Sequence, residues 1–158
     1  MSNLRFLREV NISSAVDTVN VVDVFSSDYD IYQITTQDLM TTAYSRLNFH
    51  LIDTAGTIMN EPSTYYYSVS NTASGSTSSL SGSSEKFVNA FGYGLSSSGN
   101  NSQGATVHVF DPFQNSYTYM INEAGSNGSN LYQNSGGAMH LLVAQHSGFA
   151  IAPQLISG

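Results

Sequence analysis

The sequence contains no cysteine and no tryptophan, and only 3 of its 158 residues are proline. The absence of cysteine excludes a disulfide framework, a thiol nucleophile and a zinc–thiolate site. A chain of this length buries roughly two-thirds of the surface that its unfolded state exposes, so an ordinary core can hold it together. We therefore expect one domain over 1–158, with a short extension over 1–6 and with no metal or cofactor.

Charged residues are also scarce, at 9% of the chain, against about a quarter in typical soluble domains. The 4 Lys and Arg residues are outnumbered by 11 Asp and Glu residues. Phosphate backbones and anionic lipid surfaces both require basic partners, so we expect neither nucleic acid nor membrane to bind. Residues 1–14 also lack the apolar core of a signal peptide, which predicts synthesis in a cytoplasm.

What the chain has instead is alternation of apolar and polar residues with a period of two. Turn residues separate the alternating segments, as in antiparallel sandwiches and barrels. The best helix candidate, 35–44, is rich in threonine, which favours a loop or a strand end. The sequence therefore predicts an all-β fold, a jelly-roll-like antiparallel β-sandwich. The predicted strands are 18–25, 30–37, 43–52, 64–70, 86–94, 105–112, 116–122, 138–144 and 148–153.

Two segments of low complexity, 71–85 and 95–104, consist mainly of Ser, Gly and Asn. Neither contains enough apolar residues to organise a core. Both are interpreted as long loops at one end of the sandwich. A shorter turn is predicted at "DTAGT", where Gly56 can take a positive φ at little cost.

Three aspartates, Asp23, Asp28 and Asp30, lie within the stretch "VVDVFSSDYDIYQI". A contiguous calcium loop needs a glycine at its sharp bend and a bidentate glutamate, and this stretch has neither. The stretch is therefore interpreted as a corner between strands, with the Asp28 side chain capping the turn. Tyr29 or Tyr32 is expected to pack inward from it.

No set of residues has the spacing of a catalytic site. The chain has no G-x-S-x-G elbow, no paired carboxylates and no phosphate-binding glycine loop. Three of the four histidines lie in predicted strands, where half-buried or edge positions are the common outcome. We therefore expect no enzymatic activity.

The aromatic residues are more informative, and the segment "TYYYS" places Tyr65, Tyr66 and Tyr67 in succession on a predicted strand. Because neighbouring side chains on a strand point to opposite faces, either Tyr66 or the pair Tyr65 and Tyr67 enters the core. The other side is exposed or lies in a subunit interface, where tyrosine is enriched. These three tyrosines are the candidate interface residues.

With the strands in place, three segments resemble a family of small virion proteins of tailed bacteriophages. They are "VNISSAVDTVNVVDVFSSDYDIYQI", "ATVHVFDPFQNSYTYMI" and "HLLVAQHSGFAIAPQLISG". Members of this family occur as stand-alone structural proteins and as domains of tail fibres. The resemblance implies a β-sandwich component of the virion, assembled in the host cytoplasm, that acts as a capsid decoration protein or a short fibre.

Two functions are therefore expected. The first is assembly without catalysis, as a homo-oligomer docked on other virion proteins; unprotected strand edges favour the oligomer, and the resemblance implies a trimer. The second is a glycan-binding tip domain for host recognition, since jelly-roll folds serve capsids and lectins alike.

Overall fold

The computed structural model describes residues 4–41, 45–73, 76–88, 103–127 and 131–155. Within these residues the chain forms nine strands and no helix. The described residues therefore contain no helix that could cross a membrane. The strands are β1 (Val19–Val21), β2 (Ile31–Leu39), β3 (Ser45–Asp53), β4 (Tyr65–Ala73), β5 (Ser76–Glu85), β6 (Gln103–Phe110), β7 (Ser116–Asn127), β8 (Leu131–Ala144) and β9 (His146–Leu155).

The strands form two antiparallel sheets. The smaller sheet has the order β1-β9-β3, and the larger has the order β2-β6-β7-β8-β4-β5. The chain passes between the sheets from β1 to β2, from β2 to β3, from β3 to β4 and from β8 to β9. The prediction of an all-β antiparallel sandwich is confirmed.

The apolar core lies between the two sheets. On the larger sheet, the strand register places one row of inward side chains side by side: Tyr32, Val109, Met120, Ala138 and Tyr67. On the smaller sheet, Phe49 and Phe149 stack with ring centroids 5.5 Å apart. The core therefore depends on the period-two alternation that the sequence shows, because every second residue of these strands points inward.

Two glycines allow close approach of backbones in this interior. A Cβ at Gly136 would overlap the Ser68 carbonyl oxygen and the Val69 Cα on the neighbouring strand. A Cβ at Gly148 would overlap the Val21 carbonyl oxygen. Neither site can accept a side chain unless the backbones move apart.

Part of the interior of the larger sheet is polar. Asn122 donates to Asn134, and Asn134 donates to the Asn71 side-chain oxygen at 2.8 Å. All three residues are buried. This row of amides links β7, β8 and β4 through side chains as well as through the backbone.

Strand 18–25 was predicted too long. Only Val19–Val21 forms β1, which pairs with β9 and not with the returning strand β2. The strand ends because Asp23 adopts a positive φ of 56°. Beyond it, the Val24 and Phe25 amides both donate to the Ser147 carbonyl oxygen, at 2.8 and 3.0 Å.

The prediction that 71–85 is a loop is wrong. Residues 71–73 complete β4, and β5 returns antiparallel to it. Serine and threonine suffice here because backbone hydrogen bonds pair the two strands, and Leu80 of β5 packs against the core. Of the other predicted loop, 95–102 lies outside the described residues, and 103–104 begin β6.

Of the predicted strand 86–94, only 86–88 are described. Val88 in this segment exchanges backbone hydrogen bonds of 2.9 Å with Phe49.

The predicted turn after β3 is confirmed. The Asp53 carboxylate accepts the amides of Ala55 at 2.9 Å and Thr57 at 2.8 Å. Gly56 has a φ of +84°. The aspartate and the glycine together fix this turn in the way that Asx turns usually form.

Candidate interaction surface and buried histidine pair

The outer face of the larger sheet carries a continuous apolar row. Strand register places one residue from each of five neighbouring strands side by side, and we call this row the belt: Ile31, Phe110, Tyr119, Met139 and Tyr66. Ile31 is 58% exposed, Tyr119 53% and Tyr66 45%. An aligned row of this kind differs from scattered surface apolar residues, which need no explanation.

The belt borders a surface of hydroxyl groups. Two residues further along each strand, the outward row consists of Gln33, His108, Ile121, Gly137, Ser68 and Ser81. The next row has one charged member, Glu123, and consists of Thr35, Thr106, Glu123, Ser135, Ser70 and Ser79. The outer face is thus apolar along the belt and, apart from the exposed Ile121, mainly polar in the two rows beside it. Glu123 is the one charged side chain in these rows, so contact with another molecule would remove little charge from water.

The three candidate tyrosines divide between core and surface. Tyr66 lies in the belt and points outward, while Tyr65 and Tyr67 are buried on the inner face. The Tyr65 hydroxyl accepts the Leu51 amide at 2.9 Å and donates to the Met59 carbonyl oxygen at 2.9 Å. Of the three, only Tyr66 is therefore placed to contact another molecule.

The aspartate corner connects the two sheets. Asp28 does not cap the turn as predicted; instead, the Ser26 hydroxyl accepts the Asp28 amide at 3.2 Å. Tyr32 packs inward, as one of the two predicted choices, and its hydroxyl accepts the Ser26 amide at 2.7 Å and donates to the Ser26 carbonyl oxygen at 2.9 Å. Asp23, Asp28 and Asp30 are all exposed. The corner is held by a serine and a tyrosine, and its carboxylates face outward.

A second feature lies inside the sandwich, where β8 leads into β9. His140 and His146 are both fully buried, with ring centroids 4.6 Å apart at an interplanar angle of 83°. The Tyr65 ring lies 4.8 Å from that of His140. The expectation of half-buried or edge histidines is wrong for these two residues, which lie in the interior near the crossing between the sheets, and also for His50, which is buried on β3 with 9% exposure.

Burial controls the protonation of this pair. It lowers the pKa of His140 to about 4, and contact with the Leu142 backbone offsets this only in part. Burial, together with the nearby His140, lowers the pKa of His146 to about 4, although Asp53 opposes the change. Both imidazoles are therefore neutral near pH 7.

The histidine pair is enclosed by the described residues around it. Both side chains are closed off from solvent, and the neighbouring Tyr65 hydroxyl is already engaged by two backbone groups. Among the described residues, no group of three or more His, Cys, Asp or Glu side chains could hold a metal ion. The pair is best understood as a proton-sensitive part of the core.

Sequence reasoning named Tyr66 as a candidate interface residue but did not predict the rest of the belt or the histidine pair. The belt follows from the pairing of β2, β6, β7, β8 and β4, which are distant in sequence. The histidine pair depends on a crossing between sheets that strand patterns do not reveal. The chain matches no family model, and comparison with curated proteins and with solved structures likewise gives no match.

Proposed function

We propose that the protein is a structural component of a bacteriophage virion, a capsid decoration protein or a short fibre, and that it acts by assembly and not by catalysis. The resemblance of three segments to small virion proteins supplies the setting. The observation that carries the assembly role is the belt, an aligned apolar row across five strands in which Ile31, Tyr119 and Tyr66 are exposed.

The strand edges support the same role. Among the residues that the structure describes, the larger sheet ends in β2 on one side and β5 on the other. Neither strand contains a lysine, an arginine or a proline, the residues with which monomeric proteins usually block their edges. Pairing with another chain would satisfy the backbone groups of such an edge, and a closed homo-oligomer, proposed as a trimer, does so without open-ended growth.

Glycan binding for host recognition is the second candidate. Tyr66 and Tyr119 both flank Met139 in the belt, beside a surface of Ser and Thr hydroxyls. Exposed aromatic rings next to hydrogen-bonding groups suit a sugar ligand, which presents an apolar face and a hydroxyl rim. Residues 71–73 and 76–85, predicted as part of a long loop, belong to β4 and β5 and provide no loop for a glycan.

The two candidates separate in one set of experiments. Purified protein is mixed with virions that lack it, and incorporation is followed by sedimentation and by imaging of the particle. A structural component incorporates at a fixed ratio and fails to do so when Tyr119→Lys places charge in the belt. Binding to host cells or to a glycan array, without incorporation, would favour the glycan-binding function instead.

A further inference from the structure

The segment that precedes β1 has apolar residues in a partly alternating pattern but pairs with no strand in the described part of the chain. Every residue from 4 to 17 is exposed, and none lies in a sheet. Leu4, Phe6, Val10 and Ile12 occupy even positions, with exposed fractions of 78%, 76%, 45% and 44%, while Leu7, 45% exposed, and Arg8 depart from this alternation. Alternation of this kind is typical of a strand with one buried face. We call residues 4–16 the leading segment.

The leading segment is held to its own chain by few contacts. Arg5 donates to the Tyr29 hydroxyl at 3.0 Å, and Arg8 donates to the Val22 carbonyl oxygen at 3.0 Å. Both hydrogen bonds are exposed, and bonds of this kind contribute little to stability because water replaces them. Release of the segment from its own corner therefore costs little.

Strand β2 offers a matching edge. It spans Ile31–Leu39, ends the larger sheet as far as the described strands go, and carries the exposed Ile31 of the belt. An added strand beside β2 would continue the belt by one more apolar residue. The opposite edge, β5, offers no such contact, since its outward residues are Thr77, Ser79, Ser81 and Ser83.

Charge favours the same pairing. The leading segment holds Arg5 and Arg8, two of the chain's 4 basic residues, and one of its 11 acidic residues. Exposed carboxylates of Asp28, Asp30 and Asp111 lie beside the start of β2, where the Asp111 amide donates to the Asp30 carbonyl oxygen at 2.6 Å. The basic segment and the acidic edge are thus complementary, which directs association and fixes its register.

We propose that the leading segment of one copy adds as a strand to the β2 edge of a second copy. The pairing would supply the missing backbone partners on both sides and would cover Phe6 and Ile31 at once. It rests on the assembly part of the proposed function and names its occupant. The interface joins different surfaces of the two copies, so a ring is the closed form it can take.

Cross-linking between single-cysteine variants tests this pairing directly, because the chain has no cysteine of its own. Phe6→Cys protein is mixed in turn with Ile31→Cys, Gln33→Cys, Thr35→Cys and, as the control on β5, Ser81→Cys. Each molecule carries one thiol, so a short bismaleimide can join positions 6 and 33 only between copies. We expect heterodimers with at least one β2 variant and background levels with Ser81→Cys.

Point variants give the second measurement. Phe6→Asp, Val10→Asp and Ile31→Lys should each weaken self-association in analytical ultracentrifugation by about tenfold or more, because each places charge where an apolar side chain is buried. Ser81→Lys should leave it unchanged. Thermal unfolding of the variants controls for folding, which these exposed positions should not disturb.

Three results would overturn the proposal: a wild-type monomer, equal cross-linking to β2 and β5, or loss of association only with Ser81→Lys. Incorporation into virions is measured on the same variants. If incorporation persists without cross-linking to β2, the strand addition is wrong and the virion role stands. If cross-linking occurs without incorporation, the reverse holds.

Discussion

His140 and His146 pack edge to face in the interior of the sandwich, with ring centroids 4.6 Å apart and neither side chain exposed. The two residues come from the end of β8 and the start of β9, which belong to different sheets. Their contact therefore joins the sheets at the crossing. A change in the charge of either ring acts on the packing between the sheets.

The first prediction concerns acid stability. Each histidine has a folded pKa of about 4 and an ordinary value of 6.5, so the unfolded chain binds more protons between these limits. The free energy of unfolding should therefore fall as the pH drops from about 6.5 to about 4, by up to about 1.4 kcal/mol per pH unit for each histidine. Below pH 4 this contribution changes no further. Urea unfolding across this range provides the measurement.

The matched variants for this test are His146→Gln and His108→Gln. The first removes one buried imidazole and should reduce the pH dependence between 6.5 and 4, whatever its effect at neutral pH. The second lies on the outer face and should keep the wild-type slope. Identical slopes in all three proteins would contradict the role given to the pair.

The second prediction concerns the hydroxyl of Tyr65. Tyr65→Phe keeps the ring but leaves the Leu51 amide and the Met59 carbonyl oxygen without this partner. Unsatisfied buried groups cost about 1–3 kcal/mol each, so the free energy of unfolding should fall by at least that amount. Tyr66→Phe, one residue away on the exposed face, should change it by less than about 0.5 kcal/mol. Similar losses in both variants would show that the two hydroxyls are not in different environments.

The sandwich was predictable because alternation is a local signal. Each strand shows its inward side by residues such as Val107 and Val109, whatever it pairs with. The hairpin over 71–85 was missed for the opposite reason. Backbone hydrogen bonds form it, and its serines give no apolar alternation beyond Leu80.

The candidate site was less predictable, because it depends on which strands are neighbours. Tyr66, Met139 and Tyr119 are adjacent only after β4, β8 and β7 pair in their observed register. A shift of one residue in either pairing would turn these side chains to the other face. No local pattern in the sequence specifies that register.

The third prediction concerns the close approach of β8 to β4. Gly136→Ala places a methyl group against the Ser68 carbonyl oxygen and the Val69 Cα, which are backbone atoms and cannot turn aside. The expected loss is about 1–3 kcal/mol, typical of overpacking, and larger if the strands must separate. Gly125→Ala is the control, because its nearest neighbour would be the Tyr132 carbonyl oxygen at 3.8 Å. Removing a flexible glycine there should be neutral or slightly stabilising, so a large loss at Gly125 would contradict this account.

The fourth prediction concerns the row of buried amides. Asn134 accepts from Asn122 and donates to Asn71, so Asn134→Ala removes both hydrogen bonds and leaves a cavity between β7 and β4. The Asn71 side-chain nitrogen has no hydrogen-bond partner among the described residues, so the Asn71 side chain has no other hydrogen bond among them to replace the one from Asn134. We expect the free energy of unfolding to fall by about 2–4 kcal/mol. The control is Ser135→Ala, next in sequence on the outer face, which should change the free energy of unfolding by less than about 0.5 kcal/mol.

Chemical denaturation of both variants measures this difference. Equal effects would mean that the amide row adds nothing to the pairing of these strands and that backbone hydrogen bonds alone hold them in register.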